Sequence, residues 1–142
     1  MAGKARRTLR KVAIFHDLKT EALAGWEAHC KWKTFGSGER ILEANEESCD
    51  VCFLVEGRAQ VVIYSAAGQM VPFREISAGG MFGEFSAIDN KRRSASVEAT
   101  ETCLVACMTA NNFKKMLKGD NTVTMALLEH AIAQMRALTD RV

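Results

Sequence analysis

The sequence predicts an α+β chain that is mainly β: an antiparallel jelly-roll barrel with helices before it and a helix pair after it. Two observations carry this. From Trp32 to Met108 the chain breaks into short apolar or alternating runs, at Arg40–Glu43, Val51–Glu56, Ala59–Tyr64, Met70–Ile76, Ser94–Ala99 and Cys103–Met108. Turn residues stand between them, at Gly36-Ser37-Gly38, Gly57, Ala67-Gly68 and Gly79-Gly80, with no long helical pattern inside. Short, closely spaced strands of that kind fold as an antiparallel sandwich or jelly roll.

Helical spacing is confined to the two ends. Leu9, Val12, Ile14, Phe15, Leu18, Leu23 and Trp26 recur near the N-terminus and are interrupted around His16 and Asp17, which predicts a short helical pair over about 8–30. The barrel follows over about 31–109. Asn111 then suits the cap of a short helix through Leu117, because its side-chain oxygen can satisfy an orphan backbone N–H. Lys118-Gly119-Asp120 ends that helix, and a longer one runs from about Thr122 onward, so that residues 1–142 form one domain.

Composition narrows the function classes. Apolar residues are 48% and charged residues 25%, with a net charge of +2, too small to argue for a nucleic-acid partner. Lys4, Arg6, Arg7, Arg10 and Lys11 cluster at the start, which reads more simply as a solvated helix start or frayed terminus than as a binding arm. No apolar run approaches the length of a membrane span or a secretory signal, which predicts a cytoplasmic chain with reduced cysteines. Cys49 and Cys52, and Cys103 and Cys107, have spacings that metal sites use. Cys52, Cys103 and Cys107 fall in strand runs, however, where small buried thiols are common, so no metal is expected. An enzyme on a metal-binding jelly roll would need histidines on strands, whereas His16, His29 and His130 fall in helices or at their edges.

The informative segment is Phe82 to Ala99, FGEFSAIDNKRRSASVEA. Gly79, Gly80 and Gly83 bring bare backbone close to whatever binds there. Glu84 to Ile88 is long enough for one helical turn, whose free N–H groups favour an anion. Arg93 follows Glu84 by nine residues and precedes the small residues Ser94, Ala95 and Ser96. A guanidinium among approachable amides is a phosphate clamp. Glu84 would repel phosphate but accepts from hydroxyl donors such as those of a ribose. One carboxylate for a sugar and one arginine for a phosphate suit a compact nucleotide.

This segment resembles the phosphate-binding cassette of the cyclic-nucleotide-binding domain family. That cassette reads Phe-Gly-Glu-hydrophobic, seven further residues, then Arg-small-Ala-Ser/Thr-Val, and it is matched by Phe82, Gly83, Glu84, Phe85, Ile88, Arg93, Ser94, Ala95, Ser96 and Val97. The run from Ile41 to Gly57 is similar to the family's glycine-punctuated hairpin, although Asn45 and Ser48 replace glycines, Cys49 an aspartate and Cys52 a tyrosine. The resemblance implies that Glu84 accepts from the ribose 2′-hydroxyl, that Arg93 pairs with the cyclic phosphate, and that backbone N–H groups of Gly83, Ser94 or Ala95 complete the cradle. It places Arg74 and Ile76, on the strand before the cassette, in the base pocket. Arg74 could donate to O6 and N7 of guanine, and Ser94 could bridge phosphate and base, so cGMP competes with cAMP, which is preferred.

Leu128, Ala131, Met135, Leu138 and Val142 form a seam on the last helix, which either folds onto the chain's own barrel or lids the ligand and pairs two copies. The resemblance to catabolite-activator-type sensors matches Thr139 to a hydroxyl that reaches the base of the partner's ligand. The implied function is a cyclic-nucleotide sensor with no cofactor beyond its ligand, no catalysis and no direct nucleic-acid contact. Its parent would be a transcription regulator or, failing that, a channel or kinase subunit. Because nothing follows Val142, the expectation is an excised fragment or a stand-alone sensor without a helix-turn-helix. The effector stays open.

Overall fold

The computed structural model describes residues 7–44 and 50–140; Lys4, Arg6, Asn45, Ser48, Cys49 and Val142, singled out above, lie outside them. A 3-10 turn at Ala13–Phe15 precedes helix α1, Thr20–Glu27. Eight strands follow: β1 Lys31–Phe35, β2 Arg40–Leu42, β3 Val51–Glu56, β4 Arg58–Tyr64, β5 Met70–Ser77, β6 Met81–Phe82, β7 Ser96–Ala99 and β8 Cys103–Met108. Helix α2, Glu84–Asp89, interrupts them between β6 and β7, and α3, Ala110–Gly119, and α4, Asn121–Thr139, close the fold.

The six predicted strands are present, with β1 and β6 in addition. β1 escapes notice because it mixes two lysines with aromatic residues and pairs on one side only, with β8; β6 has only two residues. Two antiparallel sheets result, in the orders β1-β8-β3-β6 and β2-β7-β4-β5. No ladder joins them among the described residues, so they face each other as an open sandwich and do not close into a barrel.

β3 explains the layering. Val51 to Val55 are all buried, which a strand with one wet face cannot achieve. Its alternate residues point to opposite faces. Cys52 and Leu54 join Leu42, Val61, Ile76, Phe82, Val97 and Val105 between the sheets. Val51, Phe53 and Val55 join Leu9, Phe15, Leu23, Phe113, Met116 and Val123 under the helices. The Phe15 and Phe53 rings meet edge-on at 5.2 Å. The first sheet is thus the middle of three layers. Between β3 and β4 only glycine fits at position 57: φ is +96°, and a Cβ would stand 2.3 Å from the Thr102 carbonyl oxygen.

Two local readings change. Thr109, not Asn111, caps α3, its hydroxyl accepting from the Asn112 N–H at 3.2 Å. Asp120 ends α3 and caps α4 as well, its carboxylate accepting from Thr122 N–H at 3.1 Å. Arg10 is not a solvated arm residue, because it donates to the Leu18 carbonyl at 2.7 Å and ties the turn before α1. That 3-10 turn then serves as the platform on which α4 packs.

Candidate functional site

The cassette is a contiguous loop held at both ends by the sheets. β6 enters it, Gly83 turns the chain with φ at +86°, α2 follows, and Asn90 ends α2 in the left-handed region at φ +60°. Asparagine tolerates that conformation better than most residues do. The chain returns through Arg93 into β7, where the buried Ser96 hydroxyl accepts from the Ala44 N–H at 2.8 Å and anchors the exit.

Gly83 is required twice over. Beyond its positive φ, an added Cβ would lie 2.7 Å from the Asp50 carbonyl oxygen and 2.8 Å from Arg93 Nη1. The same Asp50 carbonyl accepts from Arg93 Nη2 at 3.0 Å and fixes the guanidinium plane. Arg93 is only 4% exposed and Glu84 only 6%. Arg93 Nε and Nη1 and Glu84 Oε2 have no hydrogen-bond partner among the described residues. A buried polar atom left so costs about 1–3 kcal/mol, and more when it is charged. Burial pushes the Glu84 carboxyl above its ordinary pKa, against its own backbone N–H and the positive charge of Arg74.

These groups line a narrow recess of about 60 Å³ with Phe82, Gly83, Arg74, Ser94 and Ala95. A larger cavity of about 570 Å³ lies beside it and shares Val61, Arg74, Phe85, Ser94 and Ala95 with the recess. Its other walls are Ile63 and Phe73 from the β4–β5 hairpin, and Ala131, Gln134, Met135, Ala137 and Leu138 from α4. A mostly apolar chamber opening on a polar recess is the usual form of a small-molecule site.

Eight of the ten sequence-selected residues therefore come together: Phe82, Gly83, Glu84, Phe85, Arg93, Ser94, Ala95 and Arg74. Two do not. Ile76 is 3% exposed and sits in the core between the sheets, one step deeper along the face that Arg74 occupies. Thr139, expected at a partner's ligand and not at its own, is exposed outside both cavities and donates to the Met135 carbonyl at 3.2 Å. Phe73 takes the place expected of Ile76. A register shift pairs Val61 with Arg74 but Val62 with Pro72, which leaves Phe73 as a bulge residue. A bulge re-aims side chains, so Phe73 and Arg74 reach one cavity although they are neighbours.

Sequence reasoning also missed His130 and Gln134. Their i, i+4 spacing among apolar residues was the available signal. His130 Nε2 lies 4.0 Å from Glu84 Oε2, and both atoms are buried without a hydrogen-bond partner among the described residues. Burial, followed by the charge of Arg74, lowers the imidazole pKa. The last helix thus meets the cassette carboxylate directly.

An open sandwich flanked by helices at both ends, with a buried arginine and a buried carboxylate in a recess beside an apolar chamber, has the form of a ligand-binding domain. The sequence matches the cyclic nucleotide-binding domain family over residues 32–120, and the chain belongs to that family. Over 135 residues it is 24% identical to the cAMP-activated global transcriptional regulator Vfr of Pseudomonas aeruginosa, covering 92% of this chain and 63% of that protein. It is 26% identical over 109 residues to a cAMP-dependent protein kinase regulatory subunit of Debaryomyces hansenii, covering 77% of this chain and 23% of that one. The chain thus spans less than two thirds of the length of these relatives. Among solved structures, the catabolite activator protein of Thermus thermophilus superposes with a TM-score of 0.81 at 19% identity, covering 91% of this chain and 61% of that one. No helix among the described residues is long and apolar enough to cross a membrane.

Proposed function

We propose that this chain is a cytoplasmic sensor of a cyclic nucleotide, cAMP in preference to cGMP, that acts by binding and not by catalysis. The observation that carries the reading is the pairing, in one recess, of a buried arginine and a buried carboxylate with unfilled hydrogen-bonding atoms, beside an apolar chamber. Arg93 Nε and Nη1 meet the cyclic phosphate, helped by backbone N–H groups of Gly83, Ser94 or Ala95. Glu84 Oε2 accepts from the ribose 2′-hydroxyl. The base enters the chamber between the β4–β5 hairpin and α4. Two relatives with cAMP in their names support the preference for cAMP.

Binding is coupled to α4, which supplies one wall of the chamber and carries His130 to Glu84. Met125, Leu128, Ile132 and Met135 are each about half exposed along that helix, at 57, 52, 47 and 60%. Their spacing of three and four residues suits a seam with a second copy of the chain. The parent protein is a transcription regulator on this reading, as Vfr is by name, with a channel or kinase subunit as the alternative.

Titration calorimetry of the chain with cAMP and cGMP, run beside Arg93→Ala, tests the proposal. The unaltered chain should bind cAMP the more tightly. Loss of the guanidinium should weaken binding by at least about a hundredfold, or roughly 3 kcal/mol, the cost of an unpaired desolvated charge. Equal heats with and without Arg93 would overturn the assignment.

A further inference from the structure

Cys52 on β3 and Cys107 on β8 are direct partners across an antiparallel ladder, and their sulfurs are 3.4 Å apart. Directly opposed residues place their Cα atoms about 4.5–5.5 Å apart, inside the range that a disulfide spans. Both face the space between the sheets, where Cys52 is sealed and Cys107 is half-buried. The hydrogen bond from Cys52 lowers the Cys107 pKa, and the charges of Lys33 and Arg93 act in the same direction. Cys52 is pushed up by its hydrogen bond with Cys107 and by burial. One thiol is thus favoured as the attacking thiolate and the other stands ready to resolve it.

The pair lies behind the phosphate arginine. Cys52 is two residues from Asp50, whose carbonyl seats Arg93 at 3.0 Å. On its other side Cys52 pairs with Phe82, the residue before Gly83. To bond, the sulfurs must close from 3.4 Å to about 2.05 Å, and because β8 and β6 lie on opposite sides of β3, whatever shift of β3 this takes is felt at its pairing with β6 and at the Asp50 carbonyl.

We infer that Cys52 and Cys107 form a reversible dithiol–disulfide pair whose oxidation weakens ligand binding at the cassette; the effect on binding rests on the function proposed above. The oxidant is hydrogen peroxide. The Cys107 thiolate attacks its O–O bond; an S–O bond forms, the O–O bond breaks, and the departing oxygen leaves as water after protonation. The Cys52 sulfur then attacks the Cys107 sulfenic acid, the S–O bond breaks, and a second water leaves as Cys52 gives up its proton. Two thiol electrons reduce one peroxide, and a dithiol reductant reverses the change by exchange.

The full chain is treated with hydrogen peroxide, digested with its thiols blocked, and mapped by mass spectrometry. Cyclic-nucleotide titrations are run before treatment, after it, and after dithiothreitol. A linked Cys52–Cys107 peptide is expected, with affinity about tenfold weaker and restored by dithiothreitol, which leaves methionine sulfoxide in place. Cys107→Ser, and separately Cys107→Ala in case the hydroxyl disturbs the core, should bind normally and show no reversible loss. A dominant link of Cys52 to Cys49, or of Cys107 to Cys30, would overturn the pairing. An oxidised, correctly linked chain of unchanged affinity would overturn the coupling. A reduced chain that binds no cyclic nucleotide would sink the coupling together with the proposed function, while the peptide map would still decide the pairing.

Discussion

Gly83 is the residue on which cassette geometry turns. Substitution by alanine adds one carbon, which must sit within 3 Å of both the Asp50 carbonyl and the Arg93 guanidinium. It also forces a side chain into the left-handed region, at about 1–2 kcal/mol. Because Arg93 takes its orientation from that same carbonyl, the clash falls on the binding group as well as on the backbone. Gly83→Ala should therefore lower cyclic-nucleotide affinity by more than about tenfold, with a thermal midpoint only a few degrees down. Unchanged affinity by calorimetry would mean that Arg93 is not positioned by this turn. Arg74 stands where the recess meets the chamber and lines both, and its charge acts on both Glu84 and His130.

At the scale of elements, α4 meets the cassette through His130 and Glu84. The folded chain holds His130 below its ordinary value of 6.5, so it binds fewer protons than the unfolded chain as pH falls through that value. Its contribution to stability is therefore full well above pH 6.5 and is lost below it. Glu84, with a raised pKa, acts in the opposite sense, adding stability as pH falls toward its unfolded value of 4.5. A carboxyl that burial already disfavours as an anion, 4.0 Å away, is a weak partner for the imidazolium. The thermal midpoint of the ligand-free chain should thus fall less between pH 7.5 and pH 5.5 in His130→Gln than in the unaltered chain. Parallel curves would show that His130 is not held neutral against Glu84. The cassette meets the helices a second time through α2: Ala87 is buried in the cluster with Phe113 and Met116, while Ile88 is half exposed. Lys114 adds a bond to Asn90 at 3.3 Å, so α3 follows the end of α2.

Across the whole molecule, ligand binding at one end of the sandwich has a route to the last helix along α2, α3 and α4. A ligand shifts that arrangement only by binding one state better than the other. On the function proposed above, the state with α4 over the chamber, which Ala131 to Leu138 help to wall, is the one that gains. Hydrogen exchange should then slow at the amides of Ala131 to Thr139 when cAMP is added, as well as within Gly83 to Ala95. Slowing confined to the cassette would leave α4 a passive wall. Much of this molecule was legible beforehand for a local reason. The cassette is eighteen consecutive residues, Phe82 to Ala99, so its glycine, carboxylate, arginine and small residues could be read together, and they carried the family resemblance with them. The two-sided burial of β3 was legible too, as an unbroken apolar run. The far wall of the chamber was not, because Val61, Phe73 and Gln134 come from three elements, and a bulge sets the direction of one of them. Cys52 and Cys107, 55 residues apart in sequence, could be judged as small core thiols but not as a pair at 3.4 Å. Register between distant strands and the seat of a helix on a sheet depend on packing summed over the whole core. No local pattern carries that sum, so the sequence determined which groups could bind, and the tertiary structure decided which of them share a cavity.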